Sequence, residues 1–177
     1  DIKVAKVNFT NVDSSTTSFS RYVVDPNGQM MLTAASSQRQ TISVASTAAG
    51  RPAAAYVDFS IGAVASAKLK YALRSGSTST SSWDVQTVPG TGSPQYPSLA
   101  FDENNKPWIG YFDAGTNKFI LATNSLSDGT GTWTSYDFPF TPTGAPGALP
   151  IANNTSLSMH YSSGVANPVL IVIDGNV

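Results

Sequence analysis

YPSLAFDENNKPWIGYFDAGTNKF runs from Tyr96 to Phe119 and sets two apolar runs on either side of a polar turn, Asp102 to Lys106. A second polar turn follows Asp113. The same pattern occurs earlier in the chain. Gln40–Asp58, QTISVASTAAGRPAAAYVD, lies without a gap over Gln95–Asp113, QYPSLAFDENNKPWIGYFD. Six identities fall in register: Gln40/Gln95, Ser43/Ser98, Ala45/Ala100, Pro52/Pro107, Tyr56/Tyr111 and Asp58/Asp113. After a loop of different length the match resumes. KLKYAL (68–73) lies over KFILAT (118–123), and SSWDVQTV (81–88) over GTWTSYDF (131–138), so Trp83 matches Trp133. A weaker third copy, LSMHYSSGVANPVLIVID (157–174), sets Pro168 and Asp174 where Pro107 and Asp113 stand.

Each copy reads as four short strands, which we label a to d, punctuated by Gly, Asn, Ser and Pro. No segment carries sustained helical periodicity. A repeat of about 50 residues with four strands per unit is the pattern of a β-propeller blade. The stretch also resembles bacterial repeats of the type PSLAxDxxGxPxIAYYDxxxxxLxYA found in secreted propellers. That resemblance spans residues 40–138 well and 157–174 weakly. It implies a fold and carries no shared activity. An all-β sandwich is the alternative, and the internal repeat counts against it, because sandwiches need none. The apolar runs AAAYV (53–57), WIGYF (108–112) and VLIVI (169–173) suit middle strands buried on both faces.

The expected fold is therefore an all-β partial propeller of about three to three and a half four-stranded blades. One blade spans residues 40–89 and another 95–139, with incomplete blades at 1–39 and 150–177. The N-terminal part holds KVAKVNF, SFSRYVV and QMMLTAA, which fit strands b to d or c to d of an earlier blade. Their phase stays open, because VVDPNGQMML also resembles the a–b turn AFDENNKPWI. A closed ring needs four to eight blades. The expectation is thus completion by a second chain or a second copy, and the readings are a cleaved propeller, a symmetric dimer or a fragment of a longer protein. Some fungal and bacterial fucose lectins assemble a propeller from short chains, an analogy for such completion.

Composition narrows the partners. Charged residues are 12% of the 177, and the net charge is -1 with no block of like charge. A positive field for nucleic acid or anionic membrane is absent. No apolar run approaches the ~18 residues of a membrane helix. With no cysteine and one histidine, His160, disulfides, thiolate sites and multi-histidine metal sites are excluded within the chain. No cofactor is expected. A secreted or cell-surface location fits these features. Asn8, Asn153 and Asn154 each open a glycosylation pattern, which matters only in a secreting eukaryote.

The candidate ligand-binding residues are Asp58, Asp113, Asp174, Tyr96 and Trp108. The three aspartates recur at the end of strand b, where they would either ring a binding face or close the b–c turn with backbone N–H bonds. Tyr96 and Trp108 would either stack on sugar rings or fill the core. Trp83 and Trp133 carry the same two readings. Ser125–Trp133, SLSDGTGTW, resembles a degenerate Asp-box, S-x-D-x-G-x-T-W, the structural turn of sialidase-like propellers. Asp128, Thr132 and Trp133 fit it, whereas Leu126 and Thr130 replace its Ser and Gly. No G-x-S-x-G or P-loop occurs, and Glu103 is the only glutamate, which weakens a glutamate-based glycosidase. The leading function is a lectin-like or adhesive module binding glycan or protein. Against it stand a polysaccharide-active hydrolase or lyase with residues on another chain, and a structural assembly subunit.

Overall fold

The computed structural model describes residues 2–8, 18–28, 42–59, 67–76, 82–90, 92–137, 152–162 and 165–174. All of QMMLTAA lies outside the described residues, as do the side chains of Asn8, Asn153, Asn154 and Asp174. Among the described residues the chain is all β, with no helix. The strands are β1 (Ile2–Asn8), β2 (Ser18–Asp25), β3 (Ile42–Ser46), β4 (Pro52–Asp58), β5 (Lys68–Arg74) and β6 (Trp83–Thr87). They continue as β7 (Pro94–Phe101), β8 (Pro107–Asp113), β9 (Lys118–Asn124), β10 (Trp133–Asp137), β11 (Ala152–Ser162) and β12 (Val165–Asp174). Two antiparallel four-stranded sheets run β3-β4-β5-β6 and β7-β8-β9-β10. The hairpins β1-β2 and β11-β12 form two-stranded sheets.

The two four-stranded sheets share register as well as order. Asp58 pairs with Lys68 and Asp113 with Lys118, at the junction of the second and third strands. Arg74 pairs with Trp83 and Asn124 with Trp133, at the junction of the third and fourth. The first turns also match bond for bond. Thr47 N–H donates to the Arg51 carbonyl at 3.0 Å and Asp102 N–H to the Lys106 carbonyl at 3.1 Å. Gly50 and Asn105 occupy the same left-handed position, with φ of 70° and 58°. The Thr47 hydroxyl accepts from Arg51 N–H at 3.1 Å, where the Asp102 carboxylate accepts from Lys106 N–H at 2.8 Å. A hydroxyl and a carboxylate thus close one and the same turn.

The sheets stack face against face in chain order. Ala53, Ala55, Tyr71 and Leu73 of the first meet Ile109 and Tyr111 of the second in one buried cluster. The opposite face of the second sheet, with Phe112, Phe119 and Leu121, packs on Leu157 and Leu170 of the β11–β12 hairpin. The outer face of the first sheet, with Ala54, Tyr56 and Ala72, is met by Val24 of β2. Both faces of β4 and β8 are consequently sealed, which is why their sequences are continuously apolar. Small residues set the spacing: a Cβ on Gly110 would collide with the Leu170 side chain.

Hydrogen bonds join neighbouring first strands across the stack. Leu99 N–H donates to Ser43 Oγ at 3.1 Å, and Leu157 N–H donates to Ser98 Oγ at 2.8 Å. The Thr155 hydroxyl donates to the carbonyl of Tyr96, a residue with φ of 52° at a bulge in β7. Tyr111 is fully buried at the centre of the largest cluster. Tyr111→Ala is expected to destabilise the fold by about 3–5 kcal/mol, measured by urea unfolding, and a loss under about 1 kcal/mol would contradict the stacking.

Candidate functional site

Of the five residues singled out from the sequence, Asp58, Asp113, Tyr96 and Trp108 have described side chains; Tyr96 and Trp108 border one hydrophobic cluster, and the two aspartates end their strands. Asp58 and Asp113 end the equivalent strands β4 and β8, and both are buried. Asp113 is spent on the backbone: Oδ1 accepts from Ser93 N–H at 2.7 Å and Gly115 N–H at 3.0 Å, and Oδ2 from Gly92 N–H at 3.3 Å. It clamps the loop entering β7 to the turn leaving β8. Gly92 and Gly115 let the chain approach, since a Cβ on either would come within 3.3 Å of the carboxylate. Tyr96 is buried against Phe112 and its cluster. Trp108 lies at the opposite end of β8 from Asp113. Its indole Nε1 donates to Asp102 Oδ2 at 3.2 Å, and its ring stacks on Tyr136 with centroids 6.4 Å apart.

A different group of side chains gathers where three turns meet at the other end of the first two sheets. The turns are Thr47–Arg51, Asp102–Lys106 and Ser125–Thr132. Asn105 Oδ1 accepts from Ala48 N–H at 2.7 Å and ties the first turn to the second. Arg51 reaches across the end of the first sheet, its Nε donating to the Arg74 carbonyl at 2.7 Å. Its charge favours the ionised form of the Asp128 carboxyl on the third turn.

The third turn is the Asp-box-like segment, and its residues hold its shape. The buried Asn124 side chain donates to the Gly129 and Gly131 carbonyls and accepts from Leu126 N–H. Asp128 Oδ1 accepts from Thr130 N–H at 2.9 Å and its hydroxyl at 2.7 Å. Those two bonds, with the Arg51 charge, hold the Asp128 carboxyl below the ordinary range. Gly129, with φ of 81°, rides on the ring of Tyr71. Tyr71 is fully buried and packs edge-on to Trp133. Burial pushes its phenol well above the ordinary value, so it stays protonated, and its hydroxyl has no hydrogen-bond partner among the described residues. This loop end offers a guanidinium, a carboxylate and an amide, while the Tyr71 phenol is buried.

Among the described residues no three His, Asp or Glu side chains gather as a metal site. His160 is exposed on β11. The Arg51 and Asp128 contribution was not legible from spacing, because it needs two sheets to be stacked. The recurrence of turn signals at corresponding places was the only trace of it. The chain matches no family model, no curated protein and no solved structure.

Asp113→Ala removes an acceptor from three backbone donors and is expected to cost about 1.5–3 kcal/mol, read by urea unfolding. An unchanged stability would return Asp113 to the ligand-binding candidates.

The second buried carboxylate network pairs β2 with the first sheet. Tyr56 Oη donates to Asp25 Oδ2 at 2.6 Å, and Asn27 N–H donates to Asp25 Oδ1 at 2.9 Å. Burial works against the Asp25 charge, but the bonds from Tyr56, Asn27 and Gly28 outweigh it and hold the carboxyl below its ordinary value. A depressed carboxyl stabilises the fold above its unfolded value and loses that contribution as pH falls through the folded one. Tyr56→Phe should therefore cost about 1.5–3 kcal/mol near neutrality. The deficit should narrow below about pH 4, where aspartate protonates in the unfolded chain. A deficit independent of pH in denaturation midpoints would show that the bond does not favour the charged carboxylate.

Proposed function

We propose that the chain is a secreted or cell-surface recognition module of propeller type, binding a polyhydroxylated ligand such as a glycan through its end loops. The carrying observation is that Arg51, Asn105 and Asp128 stand on three turns at one end of two stacked sheets, two of those turns tied by the Asn105 bond to Ala48 N–H. Sugar hydroxyls need such a mixture of donors and acceptors. The resemblance to secreted propeller repeats and the sparse charge support the same reading, since a weakly charged polar surface suits an uncharged ligand.

A hydrolase or lyase is the less supported reading. Asp113 is committed to backbone donors, and Asp58 is buried. General acid–base work needs a positioned, accessible pair. The test is a glycan array probed with the intact chain, with Arg51→Ala as the control. Binding that falls about tenfold or more in the variant, with the fold retained, supports the reading, that loss being the usual effect of one charge-assisted contact. Binding unaffected by Arg51→Ala, or release of sugar from a bound polysaccharide, overturns it.

A further inference from the structure

We infer that a second copy of this chain completes the β11–β12 hairpin, its β1 adding to the free edge of β12 to build a four-stranded sheet across the junction. The inference rests on reading the sheets as repeats and is independent of any ligand.

The first support is that β1–β2 has the dimensions of the third and fourth strands of a repeat. β1, β5 and β9 each have seven residues. In all three, the last residue of that strand pairs with the first of the next: Asn8 with Ser18, Arg74 with Trp83 and Asn124 with Trp133. β2 also lies against β6, a fourth strand, as a neighbouring fourth strand would. The β11–β12 hairpin has the properties of the first and second strands. Leu157 N–H bonds to Ser98 Oγ as Leu99 N–H bonds to Ser43 Oγ. Leu170, buried against Gly110, stands where Ile109 stands in the second sheet. The two hairpins supply the complementary halves of one unit.

The second support is what each hairpin leaves uncovered. Ser43 and Ser98 pair with Ala55 and Gly110 and face the next sheet. Their counterpart, Ser156, pairs with Ile171, and both are exposed, with Ile171 at 58% and Val169 at 43%. At the other end, Val44 of β3 is 63% exposed, although its counterparts Leu99 and Leu157 are buried. Among the described residues, Val24 of β2 covers Ala54, Tyr56 and Ala72 of the first sheet, with Ile42 at the margin, and Val44 of β3 stays exposed. A β11–β12 hairpin seated beside a partner's β1 lies over that partner's β3. The stack then continues unbroken: Ser156 meets the partner's Val44 backbone, and Ile171 and Val169 leave water.

One copy supplies three sheets by this reckoning, two copies six and three copies nine, whereas closed rings of such sheets contain about four to eight. Two copies fall in that range, as a two-fold dimer with two identical junctions. The register follows as well. Asp113 opposite Lys118 places Asp174 opposite Ile2, and Gly110 opposite Leu121 places Ile171 opposite Ala5.

The test uses the 177-residue chain, which has no cysteine of its own. Light scattering should give twice 18.5 kDa. Ala5→Cys with Ile171→Cys should oxidise to a covalent dimer, and neither single variant should, because facing strand positions lie within disulfide reach. Val44→Asp, at a site exposed in the single chain, should keep the fold and weaken the dimer about a hundredfold or more. A folded monomer of 18.5 kDa at every concentration, an open polymer, or a disulfide closed within one chain overturns the inference. Glycan binding by such a monomer would leave the proposed function standing while this inference fell.

Discussion

The constraint on which the molecule depends is the distance between stacked sheets. β4 and β8 are buried on both faces, so each is apolar from its proline to the residue before its closing aspartate and must still let two neighbours approach. Ala53, Ala54, Ala55 and Gly110 answer this with small volumes. At Gly110 the answer is specific, because the Leu170 side chain occupies the space a Cβ would need. A larger residue there would press on the Leu170 side chain and strain the neighbouring Ser98 to Leu157 bond, 2.8 Å long. Apolar contact supplies the attraction and the serine bonds set the register, so the two act together.

The repeat was legible because the residues that build it recur in sequence. Pro52/Pro107, Tyr56/Tyr111 and Asp58/Asp113 are spaced by strand length and turn length, which are local properties. Strand order and antiparallel pairing follow from them. The serine bonds were equally present in the sequence, as Ser43/Ser98, yet their role was not readable. A serine on an inner strand is ambiguous until the next sheet is placed above it. The same holds for Tyr56 and Asp25, whose bond joins residues 31 apart. Asp102 shows the opposite case: an aspartate at the head of a polar turn announces its own bonds to the following N–H groups.

The candidate site divides along the same line. Asp113 could be read as a clamp, because a carboxylate repeated at each turn is explained by the turn. Trp108 could not be placed from sequence, since the strand containing it is buried while its own ring is half-buried against Tyr136. Arg51 was invisible as a site residue. It stands in the repeat where Lys106 stands, and nothing in its own turn separates it from a solvated cation. Only the stacking sets its turn beside a turn of the next sheet, through the Asn105 bond to Ala48 N–H.

This arrangement separates what holds the repeats from what can vary between them. The positions shared by both four-stranded sheets are occupied with backbone: Thr47 and Asp102 close their turns, and Asp113 closes another. A side chain bound to its own backbone has little freedom to meet a ligand. Positions that differ between repeats carry a smaller share of it: Arg51 binds the Arg74 carbonyl through Nε, and Asp128 binds Thr130 through Oδ1. Arg51 against Lys106 is one such difference, and the Asp128 turn against its counterpart before Trp83 is another. Both changes meet at the junction of the first two sheets, and at that junction a buried tyrosine lies beneath a left-handed glycine. Individuality in a repeat protein accumulates where the repeat's own bonds do not need it, and in this chain that place is the Arg51–Asp128 loop end.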